Sequence, residues 1–167
     1  MNESFKNTIE KEPLNIVEQY EVGSWESVKD SIMSIENKSF GGSGFGEDMM
    51  KGIFEDENNL NYILKDSQAN KVIGYVSVML QSDGKSAYIM NTAIAPEHQG
   101  KGNVGLLMQK MEDDLKSKGV EYLIRDAAVE NGYADKIERH YVERIIEDKT
   151  YEKMSPWGLQ RHFEIKL

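Results

Sequence analysis

Cysteine is absent from the 167 residues, which excludes disulfides, zinc ribbons and thiol nucleophiles together. Proline occurs only three times; Pro13 closes a polar lead-in, and Pro96 ends a strand because proline cannot continue a ladder. No run approaches the roughly 18 apolar residues that a membrane helix requires. The opening MNESFKNTIEKEPLN lacks an apolar centre, so no export signal is expected and cytoplasm is the expected location. Basic side chains are outnumbered 20 to 29, giving a net charge of −9. No Lys/Arg cluster is present to release counterions from phosphates, so neither nucleic acid nor membrane is an expected partner. The acidic balance favours a cationic or neutral small partner instead. His98, His140 and His162 are scattered without metal-site spacing, so no metal is expected, and no Ser/His/Asp set has the context of a nucleophile elbow.

What remains is 39% hydrophobic and 29% charged, the balance of a globular chain. At a typical domain size of roughly 100–200 residues, one domain is expected over residues 13–167, with residues 1–12 a loosely ordered lead-in. An extended segment over Leu14–Val22 precedes Ser24, a candidate N-cap. Trp25, Val28, Ile32 and Ile35 then recur at helical spacing, predicting a helix over Trp25–Lys38. The stretch Gly41–Glu47 (GGSGFGE) invites a phosphate-loop reading, but no strand leads in and no Gly-Lys-Ser/Thr follows. A mobile loop joining two helices is expected, the second over Glu47–Phe54. Leu60–Lys65, Val72–Leu80 and Ala87–Ala95 read as an antiparallel meander, the last two strands joined at Asp83-Gly84. Val104, Leu107, Met108, Met111 and Leu115 then share one helical face, and Gly119 stops that helix. A strand over Val120–Val129 follows, then a helix carrying Ala134, Ile137, Tyr141 and Ile145 on one stripe, then a last strand near Gln160–Lys166. The order predicts a mixed α/β fold around one central sheet.

The informative stretch is Ile94-Ala95-Pro96-Glu97-His98-Gln99-Gly100-Lys101-Gly102-Asn103-Val104-Gly105. A strand ends at a proline, a glycine-rich turn follows, and an amphipathic helix begins. Glycines let the backbone wrap close to a ligand, and the first helical N–H groups stay unsatisfied. The helix dipole adds about half a positive charge there, so the stretch suits a diphosphate. Turn punctuation by the glycines is the plainer alternative.

The pattern Ile94-x-Pro96-x-x-Gln99-x-x-Gly102-x-Val104 resembles the acetyl-CoA pyrophosphate loop of the GNAT superfamily of acyl-CoA-dependent N-acetyltransferases. Val104 stands where that family has Gly or Ala, and Gly105 follows one residue late. The element order from about Leu14 onward is similar to the family's as well. The resemblance implies a GNAT-type, mostly antiparallel central sheet with splayed central strands flanked by helices. It implies acetyl-CoA as acyl-donor co-substrate, held by the backbone of Gln99, Gly100, Lys101, Gly102, Asn103, Val104 and Gly105. It further implies a bulge in the strand Ala87–Ala95, an Ile94 amide that polarises the thioester carbonyl, and a primary-amine acceptor attacked directly in a ternary complex. Val129-x-Asn131-x-x-Ala134 matches a second signature of the family, which places Asn131 beside the co-substrate. The tyrosine expected next falls on Glu138, and a three-residue insertion brings Tyr141 into its place as proton donor to the thiolate. On its apolar stripe Tyr141 reads equally as a core residue. Asp126 is the candidate general base, with Glu130 and Glu97 as alternatives, and Asn91, Tyr75 and Tyr88 are candidate lining residues for the acceptor. Other readings of the same resemblance are an acyl-CoA-binding sensor without catalysis, a longer acyl donor and an aminoacyl-tRNA acceptor. A homodimer is compatible with the family.

Overall fold

The computed structural model describes residues 15–167, so the lead-in and Leu14 lie outside the described residues. Seven strands form one sheet: β1 (Ile16–Gln19), β2 (Asn59–Lys65), β3 (Val72–Leu80), β4 (Ser86–Ile94), β5 (Tyr122–Ala128), β6 (Tyr151–Ser155) and β7 (Gly158–Lys166). Four helices flank it: α1 (Trp25–Phe40), α2 (Glu47–Glu55), α3 (Asn103–Ser117) and α4 (Tyr133–His140). The strand order is β1-β2-β3-β4-β5-β7-β6. Every neighbouring pair is antiparallel except β4–β5.

The two faces are built by two apolar sets. Leu107, Met111 and Leu115 of α3 join Ala134 and Ile137 of α4 against Val76, Val78, Ala87, Ile89, Leu123 and Phe163. On the opposite face, Trp25, Val28, Ile32 and Ile35 of α1 and Met50 and Phe54 of α2 pack on Ile63, Tyr75, Ala93 and Ala95. The stripe read from the sequence in α1 is thus its buried face. Ser24 occupies the N-cap position without capping: its hydroxyl donates to the Glu21 carbonyl at 2.6 Å, and no side chain bonds the first turn. The loop after α1 forms a short 3₁₀ turn at Gly41–Ser43.

Two expectations are corrected. The helix expected to carry Tyr141 and Ile145 ends at His140, because the backbone turns at Tyr141 and Ile145 bridges Ile165 as an isolated strand pair. The turn leaves Tyr141 in the core, which is why the helical spacing persists in the sequence past the helix. The tail holds a full hairpin, β6–β7, whose first strand was not anticipated. Tyr151 and Met154 are exposed on it, so no buried alternation marks it.

The central irregularity is in β4. Ser77 pairs with Asn91 while Val78 pairs with Ile89, leaving Met90 as a bulge. The extra residue inverts the alternation: Ala87 and Ile89 face α3, whereas Ala93 faces α1. Gly74 lies beside this distorted strand. A Cβ there would stand 2.5 Å from Ile94 Cδ1 and 3.1 Å from the Ala93 carbonyl oxygen. Gly74→Ala should therefore cost about 1–2 kcal/mol from overpacking, read as a melting point lower by roughly 2–8 °C.

Candidate active site

Strands β4 and β5 pair in parallel only at Ser86↔Tyr122, Ala87↔Leu123 and Tyr88↔Ile124. Beyond Ile124 they separate, while β5 stays paired to β7 along its whole length. The splay expected from the resemblance is present, with its open end at Ile94 and Ala128. The Ala95 N–H donates to the Ile73 carbonyl at 2.8 Å. By strict alternation, the Ile94 N–H is then directed away from β3 and into the gap.

At the open end lies the glycine-rich turn. Gly100 and Gly102 have φ of 74° and 79°, values that residues with a Cβ rarely adopt. Gly102 is the N-cap of α3, with no side-chain cap and no acidic residue in the first turn. The first helical bond is Leu106 N–H to the Gly102 carbonyl at 3.3 Å. The N–H groups of Gly100 to Gly105 have no partner among the described residues. A Cβ added at Gly100, Gly102 or Gly105 would meet nothing within 4 Å, so space adjoins the turn. Val104, the departure from the family pattern, points outward with 47% of its surface exposed and does not fill the turn. These donors, the dipole and the open approach fit a diphosphate.

Not every predicted loop residue offers what the resemblance implied. The Gln99 N–H is bonded to the Pro96 carbonyl, and its side-chain amide donates to the Ile94 carbonyl at 2.9 Å. Gln99 therefore braces the turn against β4. Asn103 is buried; its side chain donates to the His98 carbonyl and accepts from Asn15, both at 2.9 Å, leaving only its N–H toward the turn. Lys101 is exposed. Asn131 is exposed, and its side-chain oxygen accepts the Tyr133 N–H at 3.0 Å, fixing the start of α4.

Two polar clusters occupy the α1 face beside the gap. In the first, the Glu36 carboxylate is 1% exposed and accepts from the Tyr75 hydroxyl, the Asn91 amide at 2.9 Å and the Phe45 N–H at 2.8 Å. Burial, followed by the Glu36 bond, raises the Tyr75 hydroxyl far above its ordinary value. In the second, Asp126 accepts from Tyr88 at 2.8 Å and from Lys153 at 3.1 Å and is bonded to His162 Nδ1 at 2.8 Å. His162 stacks on Tyr151 with ring centres 4.8 Å apart. Burial works to raise the Asp126 carboxyl, but the bonds from Tyr88, His162 and Lys153 outweigh it and hold the group below its ordinary value. Burial and the Asp126 bond push Tyr88 up to about 12. Among the described residues no helix covers this half of the sheet, because α3 and α4 lie on the reverse side.

Tyr141 is 2% exposed and packs under the Arg144 guanidinium, 5.0 Å from its ring centre. Among the described residues its hydroxyl has no hydrogen-bond partner, and burial and then the Glu112 charge push it up to about 12. Glu130 and Glu97 are exposed, and Glu138 is tied to Arg161 at 3.1 Å. Sequence reasoning missed Glu36, Arg125, Tyr133 and Lys153 and set His162 aside. Two of these carried a readable signal: Glu36 is four residues after Ile32 on the apolar stripe, and Arg125 alternates with Leu123 and Ala127 on the buried face of β5.

Because the folded Asp126 carboxyl titrates below its unfolded value, its contribution is present above that value, near pH 4, and is lost as pH falls through the folded one. Asp126→Asn should melt lower than wild type at pH 7, and the difference should shrink as pH falls below about 4, read as melting temperature against pH.

The Acetyltransferase (GNAT) family profile matches residues 25–140. No curated protein matches the sequence. Among solved structures, the chain is similar to the ribosomal-protein-S18-alanine N-acetyltransferase from Escherichia coli, with 18% identity, 92% of this chain and 93% of the other covered, and a TM-score of 0.70. It is similar to the spermidine/spermine N-acetyltransferase SpeG from Vibrio cholerae at 21% identity, 91% and 92% coverage and a TM-score of 0.66. With the profile spanning both early helices, the splayed strands, the glycine-rich turn and α4, this chain belongs to the GNAT family of acetyltransferases.

Proposed function

We propose that this chain moves an acetyl group from acetyl-CoA to a primary amine by direct attack in a ternary complex. The observation that carries the reading is the gap between β4 and β5, open at one end onto unpartnered loop N–H groups and flanked at the other by Asp126. Acetyl-CoA, when bound, supplies the activated thioester. The N–H groups of Gly100 to Gly105 hold its pyrophosphate. The Ile94 amide donates into the gap and takes up charge that develops on the carbonyl oxygen. The Asp126 carboxylate, kept ionised by its three partners, accepts the proton that the amine must lose. Fixed geometry between these groups supplies the rest of the rate.

The acceptor is a cationic small molecule or a peptide or protein amine. Glu36 and Asp126 both lie on the α1 side of the sheet, Asp126 on its uncovered half and Glu36 on α1 itself, buried with only neutral donors around it. A cavity of about 340 Å³ on this side of the sheet is lined by Asp83, Ile124 and Glu164 together with Lys85 and Lys149, the last paired with Glu164 at 3.3 Å. Both similar enzymes named above act on amines, one on a protein alanine and one on polyamines.

Calorimetric titration with acetyl-CoA should give micromolar affinity, about −8 kcal/mol, and Gly102→Glu should abolish it while the melting point confirms folding. A panel of polyamines and alanine- and lysine-bearing peptides, followed by thiol release, should then show turnover. Tight binding without turnover on any amine would favour the non-catalytic sensor.

A further inference from the structure

Lys153 holds an amine against the very group proposed to deprotonate amines. It lies on the edge strand β6 and pairs in register with Gln160 of β7. Its side chain crosses β7 to reach β5, where Nζ donates to Asp126 Oδ2 at 3.1 Å. The Tyr88 hydroxyl donates to the same oxygen at 2.8 Å, and Tyr88 closes the last parallel pair of β4 and β5. The ammonium therefore stands where the two strands begin to part. The other paired lysines are placed differently. The carboxylates bonded to Lys29, Lys65, Lys110 and Lys149 are 24% to 76% exposed, whereas the Asp126 side chain is 11% exposed. Among the described residues no second carboxylate holds the Lys153 amine, and its side chain is 40% exposed. Its flexible four-carbon stem is thus free to swing.

An amine tethered beside the site competes with free amines at the effective concentration that its tether provides. Holding it against a base also removes the encounter between the two groups. We propose that Lys153 is itself an acceptor, and that with acetyl-CoA in the gap the chain acetylates its own Lys153 Nζ. In that step the ammonium gives one proton to Asp126, and the freed lone pair forms the C–N bond to the acetyl carbon. The C–S bond breaks with its electron pair on sulfur. The second proton shed by nitrogen passes to sulfur, so CoA leaves as the thiol, and Asp126 returns its proton to water. The product is a neutral amide, which no longer forms an ion pair with Asp126. An amide nitrogen does not attack again, so Lys153 accepts one acetyl group and the step limits itself. The modified side chain then fills the place of an external amine. It acts as a brake that sets in when acetyl-CoA is present and acceptor is scarce.

The inference rests on the acetyl-CoA reading of the gap, and its test separates the two. Wild type is incubated with acetyl-CoA and no added amine, and peptide mass spectrometry follows each lysine over time. Lys153 should acquire its acetyl group at least about tenfold faster than any other lysine. Dilution of the protein should leave that rate unchanged, because the tether fixes the effective concentration. Excess free CoA should suppress the preference for Lys153, and this arm needs no variant to fold. Gly102→Glu, with its melting point as the folding control, should lose the preference as well. Lys153 labelled no faster than the other lysines, in protein that binds acetyl-CoA by calorimetry, overturns this proposal alone. A rate that rises with protein concentration assigns the transfer to pairs of chains and overturns it. A preference that survives excess CoA marks solution chemistry on a reactive lysine and overturns it too. Wild type that does not bind acetyl-CoA overturns the acetyl-CoA reading as well.

Discussion

Strands β4 and β5 run parallel for three residue pairs and then part, although both continue for several residues more. Backbone groups rarely go unpaired inside a sheet, because each orphan N–H or C=O removed from water is costly. The parting is enforced from both sides. β7 holds β5 along its full length, and the Met90 bulge twists β4 while β3 keeps hold of it through Ile94. The donors that face the gap, the turn that opens onto it and the side chains at its closed end all follow from that one divergence.

The bulge also sorts chemistry between the faces. With Ala93 turned to the α1 side, Asn91 meets Glu36 and Tyr75 there, while Tyr88, before the bulge, meets Asp126 on the same side. Without the extra residue, Asn91 would point into the apolar core under α3. The Asp126 face and the Arg125 face of β5 are separated by the thickness of one strand. Consecutive residues 125 and 126 carry opposite charges to opposite faces, as strand alternation requires.

How much of this was legible depended on whether a signal was local. The α1 stripe and the Asp83-Gly84 connection follow from spacing and turn chemistry and formed where the pattern placed them, as did the α3 stripe except for Val104, which the helix start turns outward. The pyrophosphate-type turn was legible because glycines, a proline and a helix start are all local signals. The end of α4 was not, since Tyr141 stays buried and Ile145 partly buried after the helix stops, and periodicity cannot distinguish a turn that keeps its side chains inward. β6 escaped because Tyr151 and Met154 are exposed. Glu36 and Arg125 read as ordinary charges until their faces were known. The pairing of Asp126 with His162 and Lys153 rests on strand order, which no local pattern contains.

The strand order has a consequence for assembly. β2, β3 and β4 pair with sequence neighbours, and β6 with β7 across a tight turn, whereas β4 meets β5 only after the chain has run through α3. Short loops close at lower entropic cost than long ones, so local pairings precede the parallel seam. The seam is the narrowest join of the sheet, held by three residue pairs and by the packing of α3 across it. Under thermal fluctuation the two halves part there first, which would place the fastest-exchanging interior amides along the line where the proposed co-substrate would act as the missing strand.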